Sequence, residues 1–312
     1  YTQVPATSYR NSVEQSETVD KILDTILGAV PELNRRDFAA VEWSIYELMD
    51  NVLTHADAPS GGLVQVTTFQ RNQKKIQVAI ADAGLGIPKT LNEHKVPPLP
   101  DTEALEQAIK EGVTRDNAIG QGNGLFGSYQ ICTQSKGRFF LSSQHAQLNW
   151  TDGTLRISNN RIPYDGTLVV AEVNFSDPGL LGEALKFDGR IHSPLDRIES
   201  HYEAEHSEDL YFELAEEAES LGNRPSGKFV RNKLLNLSNS EGVNRIIVDC
   251  RDIPIISSSF ADEVFGKLFI ELGPIRFNNL LGFQNVEPTV QQLIDKAITQ
   301  RLAVSQDPIF EG

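Results

Sequence analysis

The period of the hydrophobic pattern changes along this chain, and those changes constrain its fold more than any other feature. Val19, Ile22, Leu23, Ile26, Leu27 and Val30 recur at helical spacing, and Pro31 lies just past that face. Asp37 reads as an N-cap of a second helix, whose apolar face is Phe38, Val41, Ile45, Leu48 and Val52 and which ends near Ala56, before the turn cluster "DAPSGG". The period then drops to two. "LVQVTTF" and "KIQVAIAD" alternate like neighbouring strands joined by "RNQK". A proline-bearing excursion follows, with a short helix near Glu103–Lys110, then a glycine cluster and a helix over Leu125–Gln134. Three strand-like runs come next, "GRFFLSSQ", "TLRIS" and "TLVVAEVNF". This order predicts an α/β sandwich with helices on one face of a mixed or antiparallel sheet, and residues 1–12 read as a polar tail.

Near residue 176 the character changes. Between Asp196 and Glu219 there are ten acidic residues and one basic residue. A linker is expected over 177–200 and a second domain over 201–312. "DLYFEL", "NRIIVDC" and "IRFNNLLG" read as strands; "GKFVRNKLLNL", "SSFADEVFGKLFIELG" and "PTVQQLIDKAITQRL" read as helices. That alternation predicts a small α/β domain.

Composition excludes several classes. With 312 residues and 39% hydrophobic content, two packed cores need no staples. No apolar run approaches the ~20 residues of a membrane span, and no charged-then-apolar segment opens the chain, so neither membrane nor secretory signal is expected. The two cysteines, Cys132 and Cys250, have no metal or redox spacing and suit reduced thiols of a cytoplasmic protein. Net charge is −15, and dividing near residue 190 gives 17 basic against 23 acidic residues, then 11 against 20. Clustered cations that would neutralise a phosphate backbone are missing, so nucleic acid is not an expected partner.

Three segments carry chemistry. Glu47, Asn51 and His55 repeat every fourth position, on one edge of the second helix. By themselves three polar residues also describe an ordinary solvated face, and one histidine without a second ligand makes a poor zinc site. In "IADAGLGIP", Asp82 stands at a strand end with Gly84 and Gly86 after it. A carboxylate there can accept from an exocyclic amine, while glycines admit a flat ligand; a tight turn is the plain alternative. In "GQGNGLFG", Gly120, Gly122, Gly124 and Gly127 precede a helix, as in a phosphate cradle. The GxGxxG match within it follows no strand, and the chain has no GxxxxGK[ST] loop.

In this order the segments resemble the GHKL superfamily of Bergerat-fold ATPases and kinases, over roughly residues 15–176. "ELMDNVLTHA" looks like its N box, "DAGLGI" its first glycine box, "GQGNGLFG" its second, and "DGTLVVAEV", with Gly166 and Thr167, its threonine-bearing strand. The resemblance implies ATP and Mg²⁺ as ligands and a Bergerat sandwich with a mixed sheet over residues 1–176. Asn51 matches the magnesium-holding amide and Glu47 the catalytic carboxylate. Asp82 matches the adenine-amine acceptor, helped by Thr167. Gly84, Gly86, Ile87, Gly120, Gly122, Asn123, Gly124 and Leu125 fall in the nucleotide-binding boxes, and residues 88–119 match a mobile lid. His55 fits the anti-sigma kinase branch, a cap or packing equally. No phosphoacceptor-histidine helix precedes the boxes, which disfavours a sensor histidine kinase.

"RIIVDCRDIPIISSSFADEVFG" resembles a STAS-like domain of the anti-anti-sigma class, over roughly 205–312. There a buried strand leads to a phosphorylatable serine loop. Ser259 stands nearest the acceptor position, although Ser257 and Phe260 depart from the family's Asp-Ser-Ser-Gly pattern. The serines also suit a plain helix cap. Together the resemblances imply a regulatory switch: an ATPase or serine kinase fused to a STAS-like domain, with a protein partner or a second copy of itself. The alternative is a non-catalytic, nucleotide-gated interaction module.

Overall fold

The computed structural model describes residues 2–69, 74–93, 97–113, 123–176, 179, 181, 184–187, 190–191, 202, 209–239 and 243–306. The chain forms two compact units, Tyr1–Ile26 with Arg36–Leu195, and Leu27–Arg35 with Asp196–Gly312.

The first unit holds β1 (Thr2–Tyr9), α1 (Ser12–Ala29, its last turn belonging to the second unit), α2 (Arg35–His55), β2 (Gly62–Phe69), β3 (Lys75–Asp82), α3 (Ile87–Asn92), α4 (Asp101–Ala108), α5 (Gly124–Gln134), β4 (Arg138–Thr151) and β5 (Thr154–Asn174). The five strands form one sheet in the order β1-β2-β3-β5-β4. Every pairing in it is antiparallel, so the antiparallel alternative holds and not the mixed one. Alternation in β2 and β3 buries Val64, Val66, Ile76, Val78 and Ile80 on one face. Phe38, Val41, Ile45, Leu48 and Met49 of α2 are buried in the helical layer. Each such side chain contributes about 1.5–3 kcal/mol relative to exposure.

Several expectations are corrected. Residues 2–9 are no tail but an edge strand: Val4 and Tyr9 are buried, and the Tyr9 hydroxyl donates to the Met49 carbonyl at 3.1 Å. Pro5 falls within the irregular pairing between Val4 and Thr7, which an edge strand tolerates. Asp37 is not the cap of α2 but lies in its first turn, buried, where its carboxylate accepts from the backbone N–H groups of Gly179 (2.7 Å) and Leu181 (2.6 Å). "TLRIS" and "TLVVAEVNF" belong to one 21-residue strand, β5, whose register with β4 breaks around Gln144.

Of the expected lid, residues 94–96 and 114–119 lie outside the described residues. The described part makes defined contacts. Asn92 brackets Leu99 through both its amide atoms (2.9 and 2.8 Å), and the His145 N–H donates to Asp101. The buried face of α4, Ala104, Leu105 and Ala108, brings this helix against β4. The described part of the expected linker is packed as well. Leu181, Ala184 and Leu185 are buried, and β6 (Lys186–Phe187) pairs with β7 (Arg190–Ile191).

The second unit is built on β8 (Asp209–Glu213), β9 (Arg245–Asp249) and β10 (Leu281–Gln284), parallel in the order β10-β9-β8. Its helices are α6 (Leu214–Glu217), α7 (Arg224–Ser238), α8 (Ser258–Ala261), α9 (Lys267–Leu272), α10 (Pro274–Leu280) and α11 (Pro288–Gln306). A π-helical turn, Asp262–Gly266, joins α8 to α9. "IRFNNLLG" was expected as one strand, but most of it is α10. Gly273 at φ 75° turns the chain and Pro274 opens the helix, leaving only the end of the run to β10. In the same unit Asn236, fully buried, donates to the carbonyls of Leu27 and Val30 and accepts from Leu33 N–H, while Asn232 donates to Gly28. These amides satisfy carbonyls that the last turn of α1 leaves without helical partners.

Candidate functional site

A cavity of about 420 Å³ opens in the first unit, within the range of small-molecule sites. Its floor is the polar edge of α2. Trp43, Glu47, Asn51 and His55 all line it, so the stripe is one residue longer than the three polar positions. Trp43 was missed because it is apolar, although it keeps the same four-residue spacing.

The far wall comes from the end of β3 and from β5. Asp82, 7% exposed, lines the cavity with Ile80, Thr167 and Val169. Burial raises its pKa, and backbone hydrogen bonds from Gly84 and Thr167 partly oppose the rise. The Gly84 N–H donates to Asp82 Oδ1 at 2.8 Å. Gly84 itself does not line the cavity; a Cβ there would lie 2.1 Å from the Ala56 carbonyl oxygen, so the turn passes directly over the end of α2. Gly86, at φ 80°, and Ile87 do line it, and the Ile87 N–H donates to Ser143.

The near wall is the start of α5. Asn123, Gly124 and Leu125 line the cavity. A Cβ on Gly124 would fall 2.8 Å from Glu47 Oε2 and 3.4 Å from Asn51 Nδ2. The bare backbone of the first turn of α5 therefore faces both side chains, and its positive end bears on the same space. Glu47 is half-buried; burial raises its pKa, and the neighbouring Asp50 adds to the rise. Gly120 and Gly122 lie outside the described residues. Gly127 has a different role from the one its motif suggested: a Cβ there would lie 2.5 Å from the Trp43 ring and 3.1 Å from Leu185. It makes room for Trp43.

Asp50 of the first segment and Thr90, Leu91, Ala108 and Val113 of the expected lid also line the cavity, as does Phe187, which lies in the expected linker and had no local signal of a site. Among the described lining residues there is no lysine or arginine, and three carboxylates, Glu47, Asp50 and Asp82, are present. Among the described residues no group of three or more His, Cys, Asp or Glu is arranged to hold a metal, and no helix is long and apolar enough to cross a membrane.

In the second unit Ser257 caps α8. Its hydroxyl accepts from Phe260 N–H and lies 3.0 Å from that of Ser259. Ser259 is half-buried, beside Asp262, which Arg224 (2.9 Å) and Arg301 (2.6 Å) both contact.

Residues 226–291 match a family described as a STAS-like domain of unknown function (DUF4325). The second unit thus carries a STAS-like domain. Comparison with curated proteins finds no match.

Proposed function

We propose that the first unit binds ATP with Mg²⁺ in the manner of the GHKL superfamily, and that with its STAS-like domain it acts as a regulatory switch, by ATP hydrolysis or serine phosphorylation. One observation carries this reading: a single cavity gathers Glu47 and Asn51 against the glycine start of α5, and Asp82 with Thr167 at its other wall.

Adenine would lie toward Asp82, the buried acceptor for its amino group. Polar groups built for one base penalise another, since an acceptor left unpaired in a buried site costs about 1–3 kcal/mol. The phosphates would run toward α5, where backbone N–H groups are the fixed donors. With no described cation in the lining, their charge calls for a metal. The residues present suit Mg²⁺ in kind: the Asn51 carboxamide, whose Nδ2 is the atom nearest Gly124 and whose oxygen takes that place when the amide turns over, stands beside a backbone cradle with no side chain in the way. Held by Asn51, the ion would supply charge neutralisation and orientation of the phosphate oxygens. Glu47, one turn along the helix, takes the proton from the attacking hydroxyl or water. Its raised pKa makes it a stronger base than an exposed carboxylate. Ser259 is the acceptor to examine if the transfer goes to protein.

Calorimetric titration of the full chain with ATP and GTP, with and without Mg²⁺, tests the reading. ATP is expected to bind more tightly by about 5–150-fold, the span of that unpaired-acceptor penalty. Asn51→Ala is expected to remove most of the magnesium dependence. Equal affinities for the two nucleotides, or none for either, would overturn it.

A further inference from the structure

The last turn of α1 and the corner after it, Leu27–Arg35, belong to the second unit, although the rest of α1 and nearly all of α2 belong to the first. One face of α7 takes hold of this corner. Phe229, Asn232, Lys233 and Asn236 stand at helical spacing, and all four lie within the residues matched to the STAS-like family. Asn236 Nδ2 donates to the carbonyls of Leu27 and Val30 at 2.8 Å each, and its Oδ1 accepts from Leu33 N–H at 2.9 Å. Asn232 Nδ2 donates to the Gly28 carbonyl at 2.9 Å. A Cβ on Gly28 would fall 2.3 Å from the Phe229 ring, so the bare backbone there is what seats the ring. Lys233, buried and paired with Glu217 at 2.5 Å, backs that ring with its Nζ 4.8 Å from the centroid. Between the groups that Asn236 bridges, Glu32 stands at φ 54°, in the left-handed region that residues other than glycine seldom adopt. Such backbone persists where its surroundings impose it, and Asn236 holds Val30 on one side of it and Leu33 on the other.

We propose that this face of α7 is a clamp on the α1–α2 corner, and that through it the STAS-like domain sets the position of α2, the floor of the cavity. The route is covalent and short. Asn34 alone separates Leu33 from Arg35, where α2 begins. From there to His55 neither glycine nor proline interrupts the helix, so a displacement at its start is carried as a rigid movement to Trp43, Glu47 and Asn51. The corner is the element that changes. Clamped, Glu32 is kept at positive φ and α2 has a fixed start. Released, Glu32 relaxes to ordinary backbone and that start is lost. The coupling holds whatever ligand the cavity takes, so it does not stand or fall with ATP.

The test is amide hydrogen exchange on the full chain without nucleotide, read over the α2 amides from Phe38 to Val52, with the β2 and β3 amides as internal reference. Gly28→Ala drives the Phe229 ring off the corner and is expected to quicken exchange in α2 by about tenfold, one decade in the local opening constant, while β2 and β3 keep their protection. The double variant Gly28→Ala/Phe229→Ala removes the clash, keeps the Asn232 and Asn236 bonds, and is expected to return α2 most of the way to wild type. Asn236→Ala leaves two carbonyls and one N–H of the corner without their partner and is expected to quicken α2 in the same direction, by about 5–150-fold. If that variant does not fold, the Gly28 pair decides alone. Exchange in Gly28→Ala that quickens over residues 29–34 but not in α2 would overturn the clamp. So would a loss of protection spread equally over β2 and β3, or a double variant no nearer to wild type than Gly28→Ala. Because no nucleotide enters the measurement, its outcome is separate from the calorimetric test of ATP binding.

Discussion

At the scale of single residues, Gly124 separates stability from chemistry. A methyl group there meets Glu47 at its Oε2 (2.8 Å), the far end of the side chain, and at its Cβ (3.2 Å), while alanine at this first position of α5 gains part of its advantage of up to about 1 kcal/mol over glycine. Gly124→Ala is therefore expected to melt close to wild type, while ATP turnover falls by on the order of 10²-fold, since a displacement of about 1 Å at a catalytic group has that effect. A thermal melt and a phosphate-release assay on one preparation check both halves. Asp82 and Glu47 give a pH signature. Burial raises both, so ionising either is harder in the folded chain than in the unfolded one. Their contribution to stability is full below the ordinary carboxylate range and is lost as pH rises through the raised values. Asp82→Asn is expected to melt at or above wild type near neutral pH, with the gap closing as pH falls below that range. A variant less stable than wild type at neutral pH would show that the bonds from Gly84 and Thr167 outweigh desolvation. The polar stripe was legible because helical spacing places every fourth residue on one edge. Phe187 was not, because its place depends on an Asp37 contact more than 140 residues distant in sequence.

At the scale of elements, the long periodic segments read correctly and the short or mixed ones did not. The helices α1 and α2 and the hairpin β2–β3 follow from repeating patterns. The first strand hid because only Val4 and Tyr9 of its eight residues are buried hydrophobics, and Pro5 argues against a strand unless it lies on an edge. The joining of two runs into β5 hid because "NNRIPYDG" has turn chemistry, which the irregular register near Gln144 absorbs within a continuous ladder. At α10, apolar residues fitted a strand as well as a helix, and the Gly-Pro start decided it. The first strand is a strong test of this account. Tyr9 is fully buried, so Tyr9→Ala is expected to destabilise the first unit by about 3–5 kcal/mol, as for other large aromatic truncations. Tyr9→Phe keeps the ring and loses one hydrogen bond to Met49, for about 0.5–1.5 kcal/mol. Urea unfolding of the two variants, read as midpoints at constant slope, measures the difference. Equal small losses would return residues 2–9 to the role of a tail.

At the scale of the whole molecule, charge governs how a phosphate ligand arrives. The chain carries −15, and the described lining of the cavity adds Glu47, Asp50 and Asp82 without a lysine or arginine. A nucleotide triphosphate, even with Mg²⁺ bound, is an anion approaching an anion. Its encounter is opposed at long range, and salt weakens that opposition, because the screening length falls from about 30 Å at 0.01 M to about 10 Å at 0.1 M. Salt acts in the opposite direction on proteins that hold phosphates with clustered cations, whose affinity drops as counterions compete. Stopped-flow association of a fluorescent ATP analogue with Mg²⁺ is therefore expected to quicken severalfold between about 0.01 M and 0.3 M salt, with most of the change complete by about 0.1 M where screening is already short. Duplex DNA or RNA offered under the same conditions is expected not to bind. A nucleotide association rate that falls steeply with salt would mean that a local focus of positive charge overrides the net charge, with Lys95 and Arg115 of the expected lid as the first residues to substitute.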